Sequence, residues 1–142
     1  MANYTDYNGD DTIDSRELAE LLTEMAQDRA DLVDAVDEAD TEEDKENAQA
    51  ELREWDDEHG EAYKALEEFC NDGEQYCDDW HHGVQLILDE HWTEYAEELA
   101  RDIGALPRDL PDWVVIDWEA TADNLKDDYT PIEWGAYTYW VR

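Results

Sequence analysis

Two apolar seams, each stepping by four and three residues in alternation, constrain this chain more than anything else in it. Leu18, Leu22, Met25, Arg29, Leu32 and Val36 make the first; Ala48, Leu52, Trp55, His59, Ala62, Leu66 and Phe69 make the second. This is the seam pattern of coiled-coil helices. Only the polar stretch Asp40-Thr41-Glu42-Glu43-Asp44 separates them. Two helices joined so closely bury their seams most simply by folding back on each other, so residues 15–72 are expected to form an antiparallel hairpin. Asp14 with Glu17 reads as a capping box at its start, Thr41 with Asp44 as the cap of the second helix, and Asn71-Asp72-Gly73 as its stop. Arg29 and His59 within the seams leave open a pairing between two chains as a homodimer.

Outside the seam, Glu17, Glu20, Glu24, Asp28, Asp31, Asp34 and Glu38 recur at steps of three and four along the first helix. With a rise of about 1.5 Å per residue, carboxylates then stand roughly 5–6 Å apart along one side of a rod. Like charges at these spacings weaken a helix. Glu42, Glu43, Asp56, Asp57 and Glu58 extend the acidic surface.

The whole chain is acidic: 43 Asp and Glu against 9 Lys and Arg give a net charge of −34 over 142 residues. A net charge of magnitude about 2–8 is enough for solubility in a small domain, and one this large works against compaction. It excludes nucleic acid as a direct ligand and disfavours anionic membranes. It points instead to cationic partners: metal ions, basic proteins, or the positive grooves of nucleic-acid-binding proteins. Adaptation to concentrated salt is the plainer reading of the same charge. Seven Trp and eight Tyr, with the regular seams, argue against a disordered chain. No run is apolar enough to span a membrane, the segment Met1–Asp11 is polar and acidic, and only two Cys are present. Neither anchor nor export signal is expected, and a reducing cytoplasm is the expected setting.

Residues Asp6 to Glu17 place Asp6, Asn8, Asp10, Thr12, Asp14 and Glu17 at the ligand positions of an EF-hand loop. Asp11 stands where the loop needs its sharp-turn glycine, and residues 1–5 are too few for the incoming helix. The simpler reading is a solvated acidic turn, residues 1–14, ahead of a capped helix. Cys70, Cys77, His81, His82 and His91 raise zinc, but their spacing is no standard finger frame, and core thiols fit better. No phosphate loop, nucleophile elbow or HExxH motif is present, so no enzyme and no cofactor are expected.

After a connector, Val84, Leu86, Ile87 and Leu88 open an apolar segment that continues at helical spacing through Trp92, Tyr95, Ala96, Leu99 and Ile103 to a stop at Gly104. Val114–Ile116 reads as a strand or the lead-in to a short helix over 118–126, capped by Asp117. The alternating tail 129–142 reads as a β-hairpin turning near Gly135. The expected fold is mostly α: the coiled-coil hairpin, then a small α+β module over 80–142 that ends in a β-hairpin.

That module carries a resemblance. Ala96-Glu97-Glu98-Leu99-Ala100-Arg101-Asp102-Ile103-Gly104-Ala105-Leu106, then Pro111, then Ile116-Asp117-Trp118-Glu119-Ala120-Thr121-Ala122-Asp123-Asn124-Leu125 and the aromatic hairpin resemble the C-terminal part of the ArdA antirestriction proteins. The resemblance covers residues 92–142. It extends to phage and prophage proteins in which a helical hairpin precedes this module and the chain ends in Y-W-V-R. The family's A-E-x-x-A-x-x-x-G-x-L helix end is present, whereas its D-Y-E-A-Y-A-R-D-L segment has Trp118, Thr121 and Asp123-Asn124 in place of Tyr, Tyr and Arg-Asp. The family's N-terminal sheet domain is replaced by the acidic hairpin.

The resemblance implies a DNA mimic acting in the host cytoplasm, whose carboxylates occupy the DNA groove of a type I restriction–modification enzyme. A CRISPR effector groove is a target of the same chemistry. The charge agrees independently, since −34 matches the phosphates of about 17 base pairs. The twelve carboxylates named above on the hairpin are the expected contact residues. The alternatives are a calcium-binding protein using Asp6–Glu17 and an acidic chaperone for a basic protein.

Overall fold

The computed structural model describes residues 4–107 and 109–142. Strand β1 (Thr12–Asp14) runs directly into helix α1 (Ser15–Glu38), and α2 (Glu42–Tyr76) folds back along it. Strand β2 (Gln85–Leu88), helices α3 (Trp92–Asp102) and α4 (Trp118–Leu125), and strands β3 (Thr130–Trp134) and β4 (Tyr137–Val141) follow. The expected outline is present: a long helical hairpin, then a small α+β part closed by a β-hairpin. Gly135, at φ +61°, makes its two-residue turn with Ala136. A positive φ at the first central position alone is the mark of a type II′ turn.

The four strands form one antiparallel sheet in the order β1-β2-β4-β3. This sheet is the middle of three layers. Leu86, Leu88, Ile132, Trp134, Tyr139 and Val141 face the hairpin and share a core with Leu18, Leu21, Met25, Leu66 and Phe69. Phe69 stacks on Trp134 there, centroids 4.9 Å apart. Ile87 and Trp140, at alternate positions, face the other way and meet Trp92 and Ala96 of α3 and Ala122 of α4. The Trp92 indole N–H donates to the Ala122 carbonyl at 2.7 Å and ties the two helices together.

Three expectations change. The N-terminal acidic turn is not simply solvated, because β1 pairs with β2 and Ile13 is in the core. The buried Tyr139 hydroxyl holds the turn in place, accepting from Gly9 N–H and donating to the Asp10 carbonyl, both at 2.9 Å. Burial pushes this phenol up to about 12, so it stays neutral. Second, α2 does not stop at Asn71-Asp72-Gly73 but continues to Tyr76. Gly73 is inside the helix, and the Trp80 ring lies where a β-carbon would be. The glycine serves a close approach rather than a helix stop. Third, Gln85–Leu88 is a strand and not part of a helical run.

The caps explain the helix starts. Asp14 alone caps α1, accepting from Arg16 N–H at 2.9 Å, while Glu17 stays exposed and closes no box. Thr41 caps α2 through the Asp44 N–H at 3.1 Å, as expected. Ser15, fully buried at the first position of α1, donates to the Trp80 carbonyl at 2.7 Å and accepts from Val84 N–H at 2.8 Å. It links the hairpin to the entry of β2. Ser15→Ala leaves both backbone groups without that partner and is expected to lower stability by about 1–3 kcal/mol in a urea melt. An unchanged midpoint would show that the link carries no energy.

Candidate protein-binding surface on the helical hairpin

The hairpin is zipped along its length, deeply at the base and thinly at the tip. Leu18, Leu21 and Met25 of α1 and Trp55, Leu66 and Phe69 of α2 are buried, whereas Leu32, Val36, Ala48 and Leu52 toward the turn are half-buried. Leu21 is buried more fully than the expected Leu22, and Ala62 is exposed. The base packs on the sheet as well as on the partner helix, so it needs a wider apolar face than a two-helix seam. Arg29, read from the sequence as a seam position, reaches across to Asp56 with a two-pronged bond, Nε–Oδ1 2.9 Å and Nη2–Oδ2 3.1 Å.

Ten of the twelve expected contact carboxylates are exposed: Glu17, Glu20, Glu24, Asp31, Asp34, Glu38, Glu42, Glu43, Asp57 and Glu58. The other two are engaged internally. Asp56 is neutralised by Arg29, and that hydrogen bond holds its carboxyl below the usual range. Asp28 accepts from the Tyr4 hydroxyl at 2.6 Å. Tyr4 also accepts from the Trp55 indole N–H at 3.1 Å and packs edge-on against His59. Burial, then the bond to Asp28, pushes the Tyr4 phenol up to about 12.

Around this aromatic group the two helices bring their charges together. A cavity of about 510 Å³ is lined by Asp28 and Asp31 from α1 and by Glu51, Glu54 and Glu58 from α2, with Tyr4, Trp55 and His59. Glu51 and Glu54 are absent from the sequence-derived set. Their signal was present, since 51, 54 and 58 step by three and four on one face of α2.

The α1 stripe spans about 32 Å from Glu17 to Glu38 at 1.5 Å per residue. Its charges fall roughly every 5 Å, against about 3.4 Å for one strand of duplex DNA. The α2 carboxylates therefore matter to any likeness in charge density. Among the described residues, the hairpin's own arginines hold only two carboxylates, Asp14 and Asp56. Apart from these and Asp28, the candidate carboxylates of the hairpin are exposed.

The Arg29–Asp56 pair gives a signed prediction. The Asp56 carboxyl is held low, so its contribution is present above the ordinary carboxylate value of about 4 and fades as pH falls through the depressed one. Both side chains are about two-fifths exposed, so solvent screens the pair. Asp56→Asn is expected to cost no more than about 1 kcal/mol at pH 7. The difference from wild type is expected to vanish in acid, read by urea melts at both pH values.

The other sequence candidates lie at the start of the chain and around the end of α2. Thr12 and Asp14 lie in β1, Glu17 lies on α1, and Asp14 is bound to Arg16; Asp6 accepts from Asn8 N–H. Among the described residues Asp6, Asp10, Asp14 and Glu17 form no group of three placed to hold a metal. Cys70 and Cys77 are buried and His81 and His82 exposed, and among the described residues no group of three or more His, Cys, Asp or Glu could hold a metal. Burial pushes the Cys70 thiol up to about 12, as befits a core thiol. Among the described residues no helix is long and apolar enough to cross a membrane. Comparison with family models, curated proteins and solved structures finds no match.

Proposed function

We propose that this chain is a non-enzymatic DNA mimic that inhibits a host defence complex by occupying its nucleic-acid groove. The groove belongs to a type I restriction–modification enzyme, as the resemblance of residues 92–142 implies, or to a CRISPR effector. The observation that carries the reading is a seam-supported helical rod with ten of its twelve candidate carboxylates exposed. Proteins that bind DNA place Lys and Arg in rows to neutralise phosphates. A pre-formed acidic rod meets those rows without first being ordered, and its field steers the encounter. The energy is spread over many partly screened pairs, so no single carboxylate is decisive.

The test is capture of a DNA-binding complex from a defence-proficient bacterial lysate, with and without competing duplex DNA. Capture is expected to be lost at high salt and displaced by DNA. Replacing Glu20, Glu24, Asp31 and Asp34 by Lys is expected to abolish capture and inhibition while circular dichroism shows a folded protein. Capture indifferent to competing DNA, or inhibition surviving the four reversals, sinks the reading.

A second reading has its own support. Twenty of the 43 acidic residues lie outside residues 15–76, so the charge covers the whole molecule. That distribution suits adaptation to concentrated salt. It predicts no DNA-displaceable partner under any condition.

A further inference from the structure

We propose that residues 113–117 dock an extended, basic segment of a partner protein, by pairing with its backbone and seating apolar side chains against Trp113 and Val115. Trp113 and Val115 are 82% and 88% exposed, the most exposed large apolar residues described. Trp113 lies in a turn closed by Val114 N–H on the Pro111 carbonyl; beyond it Val115 is exposed between half-buried Val114 and Ile116, the two-residue period of an extended chain with one face inward. Asp117 is itself extended, at φ −81° and ψ 93°.

Among the described residues the segment belongs to no sheet, the strands there forming the single sheet β1-β2-β4-β3. Val114 N–H bonds to the Pro111 carbonyl, but among the described residues the Val115 and Ile116 N–H groups have no backbone partner. The chain thus presents the open backbone groups of an edge strand beside an exposed Trp. Added strands bind through such groups, with alternate side chains giving specificity. Exposed Trp is characteristic of residues that anchor interfaces.

Charge selects the occupant. Asp109, Asp112, Asp117 and Glu119 are exposed around the segment. Pairing with a second copy would bring like carboxylates together on chains of net charge −34. A strand alternating Lys or Arg with β-branched residues satisfies backbone, apolar and charged groups at once. The site precedes α4, in the layer across the sheet from the hairpin. It is therefore independent of the acidic rod, and its apolar part resists salt where the rod's attraction does not.

The experiment uses the full chain with three probes: a capped peptide of four Lys-Val repeats, the same peptide N-methylated at alternate residues, and octalysine. Binding is read in 0.5 M NaCl by calorimetry and by amide hydrogen exchange. The Lys-Val peptide is expected to bind saturably and to slow exchange at Val115 and Ile116 at least tenfold. The N-methylated peptide and octalysine are expected to bind at least tenfold more weakly. Trp113→Ala with Val115→Ala removes only exposed side chains, so it is expected to fold normally and to weaken the Lys-Val peptide at least tenfold. Equal binding of octalysine, an unaffected double variant, or unprotected amides overturns the proposal. So does self-association through this segment without peptide binding, which would make a second copy the occupant.

Discussion

Raising NaCl from 10 mM to 1 M is expected to increase the unfolding temperature by more than about 10 °C. The screening length falls from about 30 Å to about 3 Å over that range. At the lower value, carboxylates roughly 5 Å apart no longer feel one another fully. Like charges at helical neighbour spacings cost about 0.2–0.5 kcal/mol per pair. The α1 stripe has six such steps, and α2, with Glu51, Glu54 and Glu58 facing Asp28 and Asp31, adds further repulsion across the hairpin. Several kcal/mol of relief, at about 2–4 °C per kcal/mol for a chain of this size, gives the expected shift. Hydrogen exchange is expected to respond most at the tip, around Leu32, Val36, Ala48 and Leu52, where the seam is only half-buried. A flat salt response measured by differential scanning calorimetry would mean that self-repulsion does not limit the fold.

Gly73→Ala is expected to lower stability by up to about 2 kcal/mol, while Gly60→Ala, in the same helix, raises it. Alanine improves helix propensity by about 1 kcal/mol at either site. At Gly60 the new methyl meets nothing closer than the Asp56 β-carbon at 3.8 Å. At Gly73 it would fall well inside van der Waals contact of three Trp80 ring carbons. The Trp80 ring is buried against Phe69, and its carbonyl is held by Ser15, so it has little freedom to withdraw. Overpacking of this kind costs about 1–3 kcal/mol and outweighs the propensity gain. Opposite signs in paired urea melts are the expected result. The same sign at both sites would show that Trp80 yields easily.

The charge stripe was readable because exposure follows helical phase. Once the seam is known, residues 17, 20, 24, 31, 34 and 38 must lie away from it. The same phase argument misjudged Asp28 and Asp56. Their engagement depends on Tyr4 and on Arg29, partners 24 and 27 residues away in the chain. Glu51 and Glu54 join the cavity only because α2 lies antiparallel to α1 in one register.

The hairpin, the Thr41 cap, the helix beginning at Trp118 and the closing turn at Gly135 were determined by the sequence itself, because local spacing and backbone preference suffice for them. The tertiary structure decided the rest. Leu86, Ile87 and Leu88 show no alternation because β2 is covered on both faces, by the hairpin on one side and by α3 and α4 on the other. Without alternation, a strand of four residues cannot be told from the start of a helix. Ile13 is one apolar residue among acids, and becomes a core position only when β1 finds β2 more than seventy residues later. Gly73 reads as a stop until Trp80 packs on it. Each of these outcomes depends on contact between distant segments, which no local pattern encodes.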